Sequence, residues 1–146
     1  MQGLSRHTWL WTVVVAFVFV LDRIAKLAAV LFWSQRPYHL APGVDFSFLL
    51  NKGIALSLPV PPWLFYGIAA PALLFIIVQG VRAYRRQDRR MALVLALLFA
   101  GAASNILDRI LYDGVVDYIS FLGRSVVNLA DGMIVVAVLM LVMAGS

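Results

Sequence analysis

The sequence predicts an all-α membrane protein with four transmembrane helices and both termini on the cytoplasmic side. Three observations carry that reading. First, 63% of the 146 residues are hydrophobic and the mean hydropathy is +0.93, which leaves too little polar surface to cover a water-facing globule. Second, four apolar runs each approach the ~20 residues that cross ~30 Å of hydrocarbon. Third, Arg82, Arg85, Arg86, Arg89 and Arg90 crowd into one stretch between the second and third runs. Basic residues packed into a short loop hold that loop in the cytoplasm.

The first run, residues 9–33, is too long for a signal-peptide core and carries charges, so it reads as a retained helix. The second spans residues 63–81, the third 91–110 and the fourth 125–144. Trp9, Trp11, Trp33 and Trp63 sit at run ends, where amphipathic rings prefer the membrane interface. With the basic loop 82–90 inside, the second helix runs inward and the third outward, leaving residues 34–62 and 111–124 outside. In the first outer segment Phe46, Phe48 and Leu50 alternate with Ser47 and Leu49, a weak strand pattern ending at Asn51-Lys52-Gly53. Pro59, Pro61 and Pro62 then end any regular structure before the second helix. No internal repeat divides the chain, so residues 1–146 form one domain.

Composition excludes several chemistries. There is no cysteine, hence no disulfide, thiolate site or cysteine nucleophile. All seven acidic residues are Asp. His7 and His39 are the only histidines and lie apart from the other polar residues, so no metal and no cofactor are expected. The net charge of +5 is explained by the cytoplasmic loop, which removes the case for nucleic acid as a partner.

Ionisable groups within a bilayer are costly, and each needs a reason. Asp22, Arg23 and Lys26 lie in the first helix, Asn105, Asp108 and Arg109 in the third, and Asn128 and Asp131 in the fourth. Given the topology, all fall in the outer half, while the inner halves are nearly pure hydrocarbon. Asp22 and Lys26 form an i,i+4 pair in the favourable order and are expected to support the fold. Arg23 and Arg109 are near enough to the interface to snorkel. The run from Ala100 to Ser104 lets another helix approach closely.

Without a thiol or a placed histidine, hydrolysis has two routes. Ser57, Ser104, Ser120 and Ser125 are candidate nucleophiles, with Lys26 as the sole nearby amine base. Paired aspartates are the better option, because two carboxylates sharing a site hold one proton and can activate water without a metal. Asp88 is on the cytoplasmic side and Asp22 is neutralised by Lys26. Asp108, Asp113, Asp117 and Asp131 surround one outer connection, with Asp113 before Gly114 as a turn residue would be. Pattern alone leaves both Asp108 and Asp117 open as the partner of Asp131.

Five blocks, Asp22-Arg23-Ile24-Ala25-Lys26, Asn51-Lys52-Gly53-Ile54-Ala55, Asn105-Ile106-Leu107-Asp108-Arg109, Val115-Val116-Asp117-Tyr118 and Asn128-Leu129-Ala130-Asp131, occur in the order of those in lipoprotein signal peptidases. The chain resembles that family from about residue 20 to residue 132. The resemblance implies a type II signal peptidase of a bacterial inner membrane, an aspartic endopeptidase cutting just before a diacylglyceryl-modified cysteine. It implies that Asp117 and Asp131 are the catalytic dyad, near the outer, periplasmic leaflet. Asn51, Asn105, Arg109 and Asn128 would hold substrate or orient the dyad, with Asp22, Lys26 and Asp108 as supporting polar residues. It further implies a small periplasmic β-structured cradle around residues 46–51, a mobile cover after Asp117, and a monomer acting on prolipoproteins in membrane lipid. The chain departs from the usual pattern at Ala25 (often Ser or Thr), Leu56 (aromatic), Ser104 (Gly) and Val127 (Phe). The rival readings are a small transporter or proton-conducting protein, which would need polar residues through both leaflets, and a structural subunit.

Overall fold

The computed structural model describes residues 6–53 and 60–145. Ile54, Ala55, Leu56, Ser57 and Pro59 therefore lie outside the described residues. The chain is mostly helical with one small antiparallel sheet. Helix α1 covers Arg6–Ala28 and widens into a π-helical turn at Ala29–Trp33. Strands β1 (Tyr38–Ala41) and β2 (Val44–Asn51) follow, then α2 (Pro62–Arg85) and α3 (Arg89–Tyr112). Strands β3 (Val115–Phe121) and β4 (Ser125–Val127) lead into α4 (Leu129–Gly145).

Helices α2 and α3 are each long and apolar enough to cross a membrane, and α4 is a shorter apolar helix. Helix α1 is about as long as these but carries Asp22, Arg23 and Lys26 in its last two turns. Helix α3 is the centre of the bundle and packs against each of the other three helices. It meets α4 closely because Gly101 has no side chain: a Cβ there would lie 2.6 Å from the Ala130 carbonyl oxygen. Small residues are what let two helix backbones approach.

The basic loop expected at 82–90 is shorter than the charge pattern suggested. Arg82 and Arg85 complete the last turn of α2, where cations favour the helix dipole. Asp88 then caps α3 by accepting from the Met91 N–H at 3.0 Å, leaving only residues 86–88 between the helices.

The sheet has the order β1-β2-β3-β4, every pair antiparallel. Of its two inner strands, β3 is buried from Val115 to Tyr118. Val116 and Tyr118 pack with Ala29 and the partly buried Trp33 and Phe46. Trp33 stacks on Phe46 with ring centroids 4.8 Å apart. Because side chains alternate across a strand, Asp117 points to the opposite face. Two expectations are corrected here. The stretch after Asp117 is not a free cover: residues through Phe121 continue as strand, held on one side by β2 and on the other by β4. The fourth helix also begins at Leu129 rather than at residue 125, because the polar cap at Asn128, not the onset of apolar residues, sets its start.

Candidate active site

The first turn of a helix exposes N–H groups with no partner within the helix. In α4 three of them are met by side chains. The Leu129 N–H donates to the Tyr118 hydroxyl at 3.2 Å, the Ala130 N–H to Asp22 Oδ1 at 3.2 Å, and the Asp131 N–H to Asn128 Oδ1 at 2.8 Å. Groups from α1, β3 and the cap residue thus fix where α4 starts, and with it the position of Asp131. That carboxylate sits in the first turn, at the positive end of the helix dipole.

Asn128 also reaches the other way. Its Nδ2 donates to Asp117 Oδ1 at 2.6 Å, so one side chain ties the backbone of Asp131 to the carboxylate of Asp117. Asn51 Nδ2 donates to Asp117 Oδ2 at 3.2 Å from the end of β2, where the register sets Leu49 opposite Asp117. Asp117 is only 2% exposed. Burial pushes its carboxyl up to about 6, aided by nearby Asp131 and opposed by the amides of Asn51 and Asn128. Asp131 Oδ1 accepts from Asn105 Nδ2 at 2.8 Å.

Both carboxylates line one open cleft of about 620 Å³, together with Asn51, Asn105, Arg109 and Arg124. Arg109 does not snorkel away. Its Nη2 donates to the Gly53 carbonyl at 2.7 Å and its guanidinium lies 4.4 Å from the centre of the Phe65 ring. The end of β2 is thereby held against α2 and α3 at the mouth of the cleft.

Asp108, the other aspartate that pattern left open, does not line the cleft. It is fully buried, with Lys26 Nζ 2.7 Å from Oδ2, Arg23 on Oδ1 and the Val116 N–H on Oδ2 at 3.1 Å. Lys26 lies 3.3 Å from Asp22, so the expected Asp22–Lys26 pair is one edge of a larger cluster. Ser104 joins it by donating to Asp22 Oδ2 at 2.6 Å. Tyr118 donates its hydroxyl to Asp22 Oδ1 at 3.0 Å, and burial beside that carboxylate pushes the phenol up, so it stays a donor.

Three roles escaped the sequence reading. Arg23 pairs with Asp108 instead of snorkelling, Tyr118 bridges α1 to the start of α4, and Ser104 is a hydrogen-bond junction. Charge balance could have found the first: Asp22 and Asp108 need two cations in low dielectric, and Arg23 and Lys26 are the two at hand. Ser104 is fully buried, donates a hydrogen bond to Asp22 and does not line the cleft, so it is not placed to meet a substrate. Ser120 is buried in β3, and Ser125 lies on the cleft wall. Asp113 is the left-handed C-cap of α3 and is exposed. The arrangement offers two carboxylates, each held by an amide donor, open to one cleft of about 620 Å³. Such a pair can activate water and protonate a carbonyl.

Residues 14–145 match the family model described as signal peptidase (SPase) II. A lipoprotein signal peptidase of Aeromonas hydrophila is 30% identical over 94% of this chain and 87% of its own length. One from Syntrophus aciditrophicus is 32% identical over 91% and 89%. Among solved structures, a bacterial membrane enzyme determined by the in meso method superposes with a TM-score of 0.75 at 22% identity, covering 92% of this chain and 85% of the other.

Proposed function

Because the chain belongs to the signal peptidase II family, aspartic peptidases that remove signal peptides from prolipoproteins, we propose that Asp117 and Asp131 are its catalytic dyad. The observation that carries this reading is the Asn128 bridge, which ties the Asp117 carboxylate to the backbone N–H of Asp131 and so sets both side chains at the wall of one cleft. Two carboxylates facing one cleft can hold one proton between them. Asp117, the more buried, holds it and donates to the scissile carbonyl oxygen. Asp131 takes a proton from the attacking water, whose oxygen bonds to the carbonyl carbon. The resulting tetrahedral centre collapses as the proton on Asp131 passes to the leaving amide nitrogen, and Asp117 recovers its own. Asn51, Asn105, Arg109 and Asn128 bind the peptide or hold the dyad, while Asp22, Lys26 and Asp108 support them from beneath.

The bond cut is the one before a diacylglyceryl-modified cysteine, in a chain of four spans with both ends in the cytoplasm. Geometry supports the location. Arg90 and Asn105 stand near opposite ends of α3, about 22 Å apart at ~1.5 Å per residue. If the arginine-rich turn is cytoplasmic, the dyad lies near the outer leaflet of the inner membrane. There the lipid tails of the substrate stay in hydrocarbon while the peptide enters the cleft. Exposed Phe75, Val135 and Leu139 on the helices would face lipid. On this reading the chain acts as a monomer on prolipoprotein substrates in membrane lipid.

Purified protein in detergent, given a lipidated precursor peptide and its unlipidated twin, should cut only the first, with the modified cysteine as the new amino terminus. Equal cutting of both would remove the lipid requirement, and cutting of neither would return the transporter reading.

A further inference from the structure

Lys26 is fully buried, and its ammonium has three N–H bonds to place. Asp108 Oδ2 at 2.7 Å and Asn105 Oδ1 at 2.8 Å are the nearest acceptors, with Asp22 Oδ2 at 3.3 Å and Ser104 Oγ at 3.4 Å beyond them. The cluster of Asp22, Arg23, Lys26 and Asp108 is neutral as a whole, and Asp108 has Arg23 as a second cation. Charge balance alone therefore leaves the bond from Lys26 to Asn105 unexplained. An asparagine amide has two orientations of nearly equal shape, and its partners choose between them. With Lys26 on Oδ1, the Asn105 NH2 must face Asp131, and it does so at 2.8 Å. The opposite orientation would set NH2 against the ammonium and a carbonyl oxygen against the carboxylate, two repulsions at once.

We propose that Lys26 is a positioning residue for the hydrolytic reaction: it locks the Asn105 amide so that Asp131 Oδ1 is always occupied by a donor and Oδ2 is left to meet the attacking water. This rests on the dyad reading above. It gives the lysine a role in chemistry as well as in the fold, carried by a chain of two hydrogen bonds from α1 through α3 to α4.

The test separates charge balance from positioning. Lys26→Met with Asp22→Asn removes one charge of each sign, so the remaining Arg23–Asp108 pair stays neutral. After Asp22→Asn the side-chain oxygen at that position can still accept from the Ala130 N–H and the Tyr118 hydroxyl, as Asp22 Oδ1 does. This double variant should unfold near the wild-type temperature and keep KM within about twofold, yet lose roughly tenfold in kcat, the scale of coupling within one hydrogen-bond network. Asn105→Ala alone should lose a similar factor, and adding it to the double variant should cost little more, because both changes break the same chain. Lys26→Gln with Asp22→Asn retains a donor for Asn105 and should recover part of kcat; it carries the same cycle should the Met variant not fold. A charge-balanced variant with wild-type kcat, or losses that multiply with Asn105→Ala, would overturn the proposal. Asp131→Asn in the same assay keeps the two readings apart. Turnover there sinks the dyad, whereas a dead Asp131→Asn beside a fully active charge-balanced variant sinks the role of Lys26 alone.

Discussion

Replacing Gly101 by alanine adds one methyl group where the α3–α4 contact has no room for it. The new Cβ would lie 2.6 Å from the Ala130 carbonyl oxygen, 2.9 Å from Ile134 Cγ1 and 3.2 Å from Met133 Cβ. The isoleucine can turn away, but the carbonyl belongs to the backbone of the first turn of α4 and cannot. Ordinary contact begins near 3.4 Å, so the two helices must part by about 0.8 Å at this level. Overpacking of a close contact costs about 1–3 kcal/mol. The displaced carbonyl is that of the residue before Asp131, and the bond from Asn105 to Asp131 spans the same interface. A shift near 1 Å in a reacting group can cost on the order of 100-fold in rate. Gly101→Ala is therefore expected to lower the unfolding temperature in detergent and to slow cleavage of a lipidated precursor by roughly 10- to 100-fold. Gly67, whose Cβ would meet nothing within 4 Å, is the control: Gly67→Ala should be neutral or slightly stabilising. Wild-type stability and rate in Gly101→Ala would refute the view that this contact sets the position of Asp131.

Tyr118→Phe strands the Leu129 N–H and removes a donor from Asp22, and should cost about 1–3 kcal/mol in denaturant unfolding; an unchanged midpoint would mean that α4 starts without that hydroxyl. Asp117 has a carboxyl raised from 3.8 to about 6 by burial, so its contribution to stability is present below the lower value and is lost as pH rises through the upper one. The difference in unfolding temperature between Asp117→Asn and wild type should move in favour of the variant from about pH 4 to about pH 7.5, and a flat or opposite trend would contradict the buried, proton-holding assignment. Reporter domains fused after Ser146 and within residues 86–88 should both report cytoplasm, and a periplasmic signal from either would invert the proposed depth of the site.

The helices were legible because an apolar run of membrane length has few other uses. Helices α2 and α3 outrun their apolar stretches only where charged or cap-adjacent residues complete the end turns, as Arg82 and Arg85 do in α2 and Arg89 and Arg90 in α3. The sheet was half legible. Strand β2 shows alternation, since one face looks to the core, but β3 is buried through Val115, Val116, Asp117 and Tyr118, which leaves no alternation to read. Strand β4 has three residues and carries no pattern of its own. In the site, the types and order of the polar residues were visible, while their pairing was not. Hydrogen bonds such as Arg23 to Asp108 or Ser104 to Asp22 join residues more than 80 positions apart, and only the packing of α1 on α3 brings them together. Pattern left Asp108 and Asp117 as equals for the same reason: what separates them is that two cations enclose one and a cleft opens on the other.

Cleavage of a lipidated precursor by Asp117→Asn and Asp131→Asn, with substrate binding measured on the same preparations, tests the dyad directly. Each replacement is nearly isosteric, so both variants should fold and bind while losing at least roughly 100-fold in turnover, the usual scale for removing a general acid or base. Asp113→Asn, at the exposed left-handed cap of α3 where asparagine is equally at ease, should cleave at close to the wild-type rate. Turnover within about tenfold of wild type by either Asp117→Asn or Asp131→Asn would contradict the account, as would activity in Asp117→Asn beside its loss in a folded Asp108→Asn.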